Sequence, residues 1–297
     1  MPATGLPRGF APGLLGVTIF ALTLPMTRLA VGDAGAPQLP PAFVTVGRAA
    51  LAGLLSLGYL LAVGARPPTR AQLLPLTLCA LGTVAGFPLG LALALREVDA
   101  VHAAVVTGVL PLATAATGAV ALRQRPPAAF WACALLGAAL VVGFAVVLGG
   151  GAPVAADGWL LFAVLSAAVG YVAGARVAAQ RPAAEVICWV LVGSLPLSAP
   201  LTLALWPAQP ASVAAWLGFG YVGLFSMWLG FFAWYRALAV GGVVGVSQVQ
   251  LLQPFIALLG AWWLLGEALQ PATLGFALAV AGVVWVGRHL PVRAASR

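Results

Sequence analysis

The chain has 297 residues, of which 63% are apolar and only 7% are charged, and its mean hydropathy is +1.08. Soluble globular domains carry about 25% charged residues, so this composition excludes one and indicates an integral membrane protein. The net charge of +8 comes from arginine alone, because the sequence contains no lysine, and in so apolar a chain it does not indicate a nucleic-acid partner.

Ten apolar runs of about 20 residues follow one another, each long enough as an α-helix to cross a hydrocarbon core of about 30 Å. Short segments rich in glycine, proline or charge separate them. We therefore predict an all-α integral membrane protein with ten transmembrane helices. The predicted spans are Phe10–Val31, Leu39–Val63, Ala71–Leu93, Ala100–Leu122, Pro127–Leu148, Trp159–Ala179, Ala183–Trp206, Val213–Tyr235, Val243–Leu265 and Ala272–Leu290.

The arginines predict how these spans lie in the membrane. With the amino terminus in the cytoplasm, eleven arginines fall at cytoplasmic ends of spans, and only Arg28 and Arg96 fall at outer ends. Arginine is enriched in cytoplasmic loops, so this distribution favours that orientation. We therefore expect a multi-pass protein of the inner cell membrane with both termini in the cytoplasm.

Two segments of the sequence, Ala94–Gln124 and Ala237–Glu267, resemble each other at an offset of 143 residues. Each begins with an Ala-Leu pair, and a proline follows at the same spacing within an apolar run: Pro111 in the first segment and Pro254 in the second. This repetition indicates an internal duplication that places helices four and nine in corresponding positions.

A proline inside a helix removes one hydrogen bond and frees the carbonyl group four residues earlier, here that of Thr107 or Gln250. At membrane depth, freed polar groups face protein or a water-filled cavity. We therefore expect Pro111 and Pro254 to kink helices four and nine beside a binding site near the midplane.

A glycine-rich segment, residues 149–157, lies at the midpoint of the chain. We predict a first repeat at 1–148, a linker at 149–157 and a second repeat at 158–297, with five helices in each repeat. An odd number of spans per repeat inverts the second relative to the first. Inverted repeats are typical of secondary transporters, which hold the substrate between the two halves.

These features resemble the EamA domain of the drug/metabolite transporter superfamily. The Ala-Leu pair and the mid-helix proline are followed by Gly266-Glu267, and then by Gly275 and Gly282 in the last span. The segment Phe43–Arg48 is similar to the aromatic-then-arginine opening of the family's second helix. The resemblance implies ten spans in two inverted halves, a central cavity, and export of amino acids, metabolites or toxic organic compounds.

The sequence departs from the family at Gln124, where a glutamate often ends helix four. This puts a mechanism with symmetric carboxylates in doubt. The corresponding residue of the second half, Glu267, precedes Pro271, and we expect it to cap the tenth helix.

Polar residues on helix nine are candidates for substrate binding. Ser247, Gln250 and Gln253 follow one another at intervals of three and therefore lie along one face, beside Pro254. Such a face either joins helices by hydrogen bonds or orients a substrate, and the nearby kink favours the substrate. Thr107 has the matching position in helix four.

Three further residues lie deep within predicted spans. Arg48 is a charge within helix two; it binds a carboxylate or phosphate of the substrate, braces loop carbonyls, or pairs with an acid. Trp228 and Tyr171 lie at mid-span, where they either stack on an aromatic or cationic substrate or belong to the core.

His102 follows Asp99 by three residues at the outer end of helix four. The two side chains either exchange a proton that is coupled to transport, or form a polar start of the helix in which Asp99 is the cap.

Glycines recur every four residues in helix three, at Gly82, Gly86 and Gly90, and in helix six, at Gly170 and Gly174. Small residues at this spacing let helix backbones approach closely, so we expect packing faces there.

We interpret the chain as a secondary transporter that exports a small organic solute through a cavity lined by helices three, four, eight and nine. The alternatives are an importer of a nucleotide-like or vitamin-like solute and a membrane-embedded enzyme; the spans contain no HExxH motif and no cluster of carboxylates, which argues against the enzyme. We expect no cofactor or metal, protons as the coupling ion if there is one, and a monomer or homodimer in the lipid bilayer.

Overall fold

A computed structural model describes residues 10–121, 128–148, 154–237 and 249–289, and within these ranges the chain forms helices and no β-strand. We number the helices α1 to α10. Seven are long and apolar enough to cross a membrane: α1 Phe10–Val31, α2 Pro41–Ala62, α3 Arg70–Ala94, α4 Ala100–Ala121, α6 Ala155–Ala178, α7 Ala183–Ala204 and α8 Val213–Ala237. The others are α5 Ala128–Leu148, α9 Gln253–Leu265 and α10 Pro271–His289. The chain is therefore a multi-pass α-helical membrane protein.

The helix bounds agree closely with the hydrophobic runs in most of the chain. The first span is as predicted, whereas α6 begins at Ala155, four residues before the predicted Trp159. Asp157, which we placed in the linker, consequently lies in the first turn of α6. A 3-10 turn, Val249–Leu252, precedes α9; the first residues of the predicted ninth span lie outside the described ranges.

Two long helices contain a π-helical segment, in which the backbone hydrogen bonds join residues five apart. These segments are Ala80–Gly86 in α3 and Val222–Leu229 in α8. Residues 80 and 222, where they begin, are separated by nearly the same interval as the two copies of the sequence repeat. The widening of the helix thus recurs at corresponding places in the two halves.

One end of the helix bundle, which we call the Asp99 end, gathers the end of α1 and the beginnings of α4 and α6. Arg28 Nη2 of α1 lies 3.5 Å from Asp99 Oδ1, immediately before α4. His102 of α4 contacts Asp157 of α6. Because α1 ends where α6 begins, these two helices run in opposite directions.

The opposite end, which we call the Gln72 end, gathers the beginning of α3 and the ends of α2, α4 and α6. Gln72 Nε2 donates to Gln180 Oε1 at 3.2 Å, just beyond α6. Arg181 donates to the Arg66 carbonyl oxygen at 3.1 Å, and Arg176 donates to the Ala121 carbonyl oxygen at 2.8 Å. The two halves of the chain are therefore tied together at both ends of the bundle.

The glycine faces of α3 and α6 pack against each other. A methyl group added at Gly82 would overlap the Ser166 carbonyl oxygen, and one at Gly170 would lie 2.7 Å from Thr83 Cγ2. At Gly86 the added carbon would lie 2.6 Å from Ser166 Oγ. The predicted packing faces are confirmed: only glycine lets these two backbones approach so closely.

Candidate functional site

A small cavity lies at the centre of the bundle, where side chains from both halves of the sequence meet. Its volume is about 20 Å³, roughly the space of one water molecule. Three residues singled out from the sequence line it: Arg48, Tyr171 and Gln253. The rest of the lining consists of Phe20, Thr23, Thr83, Phe87, Leu110, Ala167, Ser226, Met227 and Phe231.

The helices that line this cavity are more numerous than predicted. Helices α3, α4, α8 and α9 contribute, as we expected, and α1, α2 and α6 contribute as well. Helices α2 and α6 contribute through Arg48 and Tyr171, which the sequence had singled out as candidate residues, whereas α1 was not expected. The glycine contacts between α3 and α6 let α6 lie close to the cavity.

Arg48 is the most strongly polar group of the cavity. Its side chain is buried, with 3% of the residue exposed, and one guanidinium nitrogen donates to Ser226 Oγ at 3.0 Å. Its Nε is buried and has no hydrogen-bond partner among the described residues. Among the described residues Arg48 neither pairs with an acid nor braces a loop carbonyl, two of the three roles that its position in the sequence left open.

Ser226 and Thr23 complete the polar side of the cavity, and sequence reasoning missed both. Thr23 Oγ1 donates to Ser226 Oγ at 2.7 Å, and both residues are buried. A single serine or threonine in an apolar run does not by itself indicate a binding site, because its hydroxyl also hydrogen-bonds to carbonyl oxygens in the preceding turn of its own helix. Ser226 lies in the π-helical segment of α8, which no feature of the sequence announced.

The break in α4 and the beginning of α9 lie close together beside this cavity. The α-helix of α4 is broken at Gly108, and Pro111 lies at the start of the segment Leu110–Ala121. A carbon added at Gly108 would lie 3.4 Å from Pro254 Cγ. Thr107, Pro111 and Pro254 line a second cavity of about 20 Å³ that shares Leu110 and Gln253 with the first.

Pro254 differs from the expectation of a mid-helix kink, because it is the second residue of α9. Proline is tolerated there, since the first turn of a helix has no acceptor for its missing N–H. Gln253 begins the same turn and reaches both cavities. Ser247 and the side chain of Gln250, the other members of the predicted polar face, lie outside the described residues.

Thr107, Tyr171 and Trp228 have different surroundings. Thr107 Oγ1 donates to the Ala103 carbonyl oxygen of its own helix at 2.7 Å. Tyr171 lines the central cavity, with its ring 6.4 Å from that of Phe231. Trp228 does not line it: the indole packs against Phe232 at 5.1 Å, which favours the core alternative for this residue.

Of the two alternatives that the sequence left open for His102 and Asp99, the proton-exchanging pair is not formed: Asp99 is the residue immediately before α4, as the other alternative has it, although its side chain makes no cap hydrogen bond. His102 Nε2 lies 2.7 Å from Asp157 Oδ1, and both residues are buried. Asp157 Oδ2 also accepts from the Val154 N–H at 2.9 Å, which fixes the carboxylate. Asp99 instead lies beside Arg28, because it precedes the helix and is exposed at the surface.

Glu267 caps a different helix from the one expected. Its two carboxylate oxygens accept from the N–H groups of Ala100 and Val101, at 2.9 and 2.7 Å, so it caps α4 of the first half and not α10. Gly266, in the left-handed conformation at φ 69°, ends α9 and turns the chain toward α4. Burial raises the pKa of Glu267 above its ordinary value of 4.5, although the two N–H donors act in the opposite direction.

The duplicated architecture agrees with the comparison with known protein families. The family model of the EamA-like transporter family matches the chain twice, over residues 8–148 and 154–288. The chain belongs to the EamA-like transporter family. The resemblance noted in the sequence is thereby confirmed, since this family is part of the drug/metabolite transporter superfamily.

Relatives of this EamA-like transporter extend over nearly its whole length. "Uncharacterized transporter YdeK" from Bacillus subtilis is 42% identical, over 95% of this chain and 97% of the relative. "Probable terminal-alkyne amino-acid exporter" from Streptantibioticus cattleyicolor is 29% identical, over 93% and 92% of the two chains. A solved crystal structure aligns with a TM-score of 0.62 and 22% identity over 94% of this chain and 95% of the other, a likeness that shows the fold alone.

Proposed function

We propose that this EamA-like transporter exports a small organic solute across the inner membrane by alternating access. The observation that carries the proposal is the central cavity, because polar side chains from both halves line it and it has room for only about one water molecule. A solute enters such a cavity only if the halves move apart. Rocking of two halves around a fixed midplane site is how secondary transporters of this kind work.

The proposed transporter has ten spans in two inverted five-helix repeats, the first at residues 1–148 and the second beginning with α6 at Ala155, which lies within the predicted linker 149–157. The two family matches support this division. The opposite directions of α1 and α6, and the recurrence of the π-helical segment in α3 and α8, support the inversion. Both termini are cytoplasmic, which places the Asp99 end outside.

Labelling of single cysteines tests this topology. In a variant without Cys79, Cys133 and Cys188, we place one cysteine at Ala34 or at Ala179, exposed positions in corresponding loops of the two halves. An impermeant thiol reagent added to intact cells should label the first and not the second. Labelling of both from the same side contradicts the inverted arrangement.

Export is the proposed direction because one relative is named as a probable amino-acid exporter. At 29% sequence identity, this relative supports the direction of transport and the general size of the solute, but it does not identify the solute.

We further propose that the pair of His102 and Asp157 couples transport to protons. Histidine exchanges a proton near neutral pH, and this pair joins α4 of one half to α6 of the other. An open pocket of about 540 Å³ at the Asp99 end adjoins His102, so protons reach it from outside. Asp157 from α6 and Phe144 from α5 contact His102. Glu97 and Asp99 from the loop before α4, and Thr273 of α10, line the same pocket as His102, and Glu267 lies nearby on the N–H groups of Ala100 and Val101.

Flux measurements in liposomes test the proposed function. Purified protein is assayed for counterflow with a panel of amino acids, organic amines and organic phosphates, with and without a pH gradient. We expect saturable counterflow of one chemical class. Turnover of lipid or peptide without flux of any solute overturns the proposal in favour of an enzyme, and accumulation of organic phosphates alone favours the importer.

A further inference from the structure

Arg48 carries a positive charge that no side chain of the protein balances. The chain has six acidic residues, and all six lie within the described ranges. None is within 4 Å of Arg48: Asp33 and Asp99 lie beside Arg28, Asp157 beside His102 and Glu185 beside Arg181. Glu267 binds backbone N–H groups, and Glu97 lies at the Asp99 end.

An unpaired charge buried in a membrane protein is costly, and a guanidinium cannot discharge itself by losing its proton under ordinary conditions. The Ser226 hydroxyl satisfies one donor, and Nε remains without a partner. Arg48 lines the central cavity. An anionic group in that cavity would satisfy both the charge and the free donor, and the planar fork of arginine matches a carboxylate.

We propose that Arg48 binds the carboxylate of the transported solute, and that the substrates are organic monocarboxylates. This inference rests on the proposed function and specifies the substrate class of the same site. The Ser226 hydroxyl, which also accepts from Thr23, holds one nitrogen of the guanidinium in place, and Arg48 lines the cavity.

The charge of the lining selects a monocarboxylate over a phosphate monoester. A phosphate ester carries a charge of about −1.5 to −2 near neutral pH, whereas Arg48 is the only cation among the described lining residues. The second negative charge would enter the protein without a partner. A single carboxylate leaves the occupied cavity neutral.

The remaining lining selects the rest of the molecule. The apolar part of the lining consists of Phe20, Phe87, Leu110, Ala167, Met227 and Phe231. The described lining contains no carboxylate that would bind an ammonium group. An apolar body is therefore favoured, and an α-amino group is not required for binding.

Substitutions of Arg48 test whether its side chain binds the solute or stabilises the fold. In Arg48→Met the uncompensated charge is gone, so we expect the melting temperature of the purified protein to stay equal or to rise, whereas a structural brace would lower it. Arg48→Lys keeps the charge and loses the fork. The control is Arg70→Gln, which removes an exposed arginine at the start of α3, away from the cavity.

The probes are leucine, phenylalanine and tryptophan, their carboxamides, their deaminated acids, and phenyl phosphate, in counterflow and in thermal-shift assays. We expect the deaminated acids to be transported, the amino acids to be transported less well because their ammonium group has no carboxylate partner in the described lining, the carboxamides and phenyl phosphate to be excluded, and Arg48→Met to weaken binding about 10- to 100-fold or more. The control should retain the affinity of the natural protein.

The outcomes distinguish the two proposals. If carboxamides are transported as well as acids, or if Arg48→Met still transports the acids, the role of Arg48 is wrong. If only amines or phenyl phosphate move, the substrate class is wrong and the transporter proposal stands. If no solute moves in this panel or in the wider one, both proposals fail.

Discussion

The sequence suggested Asp99 as the partner of His102, whereas the structure pairs His102 with Asp157. Substitutions test the proposed proton coupling by this pair. In His102→Gln the side chain can still hydrogen-bond to Asp157, but it cannot gain or lose a proton in the transport cycle. We expect transport driven by a pH gradient to be lost while counterflow, which needs no net proton movement, continues. Asp157→Asn should behave in the same way, measured by solute uptake into liposomes.

Asp99→Asn separates this pairing from the one suggested by the sequence. Asp99 lies beside Arg28 at the surface, so its replacement should leave the pH-driven component in place. Retention of that component in His102→Gln would reject proton coupling through this pair.

Glu267 gives the stability of the protein a dependence on pH. Its pKa is raised in the folded protein, chiefly by burial, so the folded state binds a proton more readily than the unfolded state. Stability from this group is present below the ordinary value of 4.5 and is lost as the pH rises through the raised pKa. When the pH is lowered from neutral to below 4.5, the melting temperature of the natural protein should therefore rise relative to that of Glu267→Gln. A difference between the two melting temperatures that does not change with pH would contradict this.

Part of the site could be predicted from the sequence, because some single residues are unusual at their positions. A charge such as Arg48 or an amide such as Gln253 is rare within an apolar run, and both line the cavity. Asp157 was missed because its partner lies 55 residues away, and nothing local distinguishes it from a linker residue. Pairings between distant elements depend on packing, which a single sequence does not display.

At the scale of elements, the contact between α3 and α6 depends on glycine. In Gly82→Ala the new methyl group meets the Ser166 backbone, which cannot move aside without shifting the helix. Overpacking of this kind costs about 1–3 kcal/mol. We expect a lower melting temperature and reduced transport.

The matched control is Gly158→Ala in α6, where an added carbon has no neighbouring atom within 4 Å. This variant should melt like the natural protein. Equal melting temperatures for Gly82→Ala and Gly158→Ala would show that the close packing of α3 against α6 is not needed for stability.

Hydropathy predicted the helices themselves well, because the length of an apolar run is set by the thickness of the membrane. The interior of the helices was less predictable. The π-helical segments Ala80–Gly86 and Val222–Leu229 contain no proline and read as ordinary apolar sequence. Their positions depend on the contacts of α3 and α8 with other helices.

At the scale of the whole molecule, the two halves are held together at both ends around a small central cavity. At the Asp99 end, Glu267 of the second half caps α4 of the first, and Gln38 Oε1 accepts from the Ser212 N–H at 2.9 Å. At the Gln72 end, Gln72 bonds to Gln180. A solute of several carbons passes only if these ties open, and alternating access requires that they open in turn.

Locking either end should therefore stop transport completely. In a cysteine-free variant, we introduce cysteines at Gln38 and Ser212, or at Gln72 and Gln180, and join each pair with a short bifunctional reagent that a reductant cleaves. Each link should abolish counterflow, because a site that opens to one side only cannot complete a cycle, and cleavage should restore it. The singly substituted proteins, treated alike, control for the reagent. A channel opened by partial separation would still conduct with one end linked, so flux through either linked protein would refute alternating access while leaving the cavity and its arginine as the route of passage.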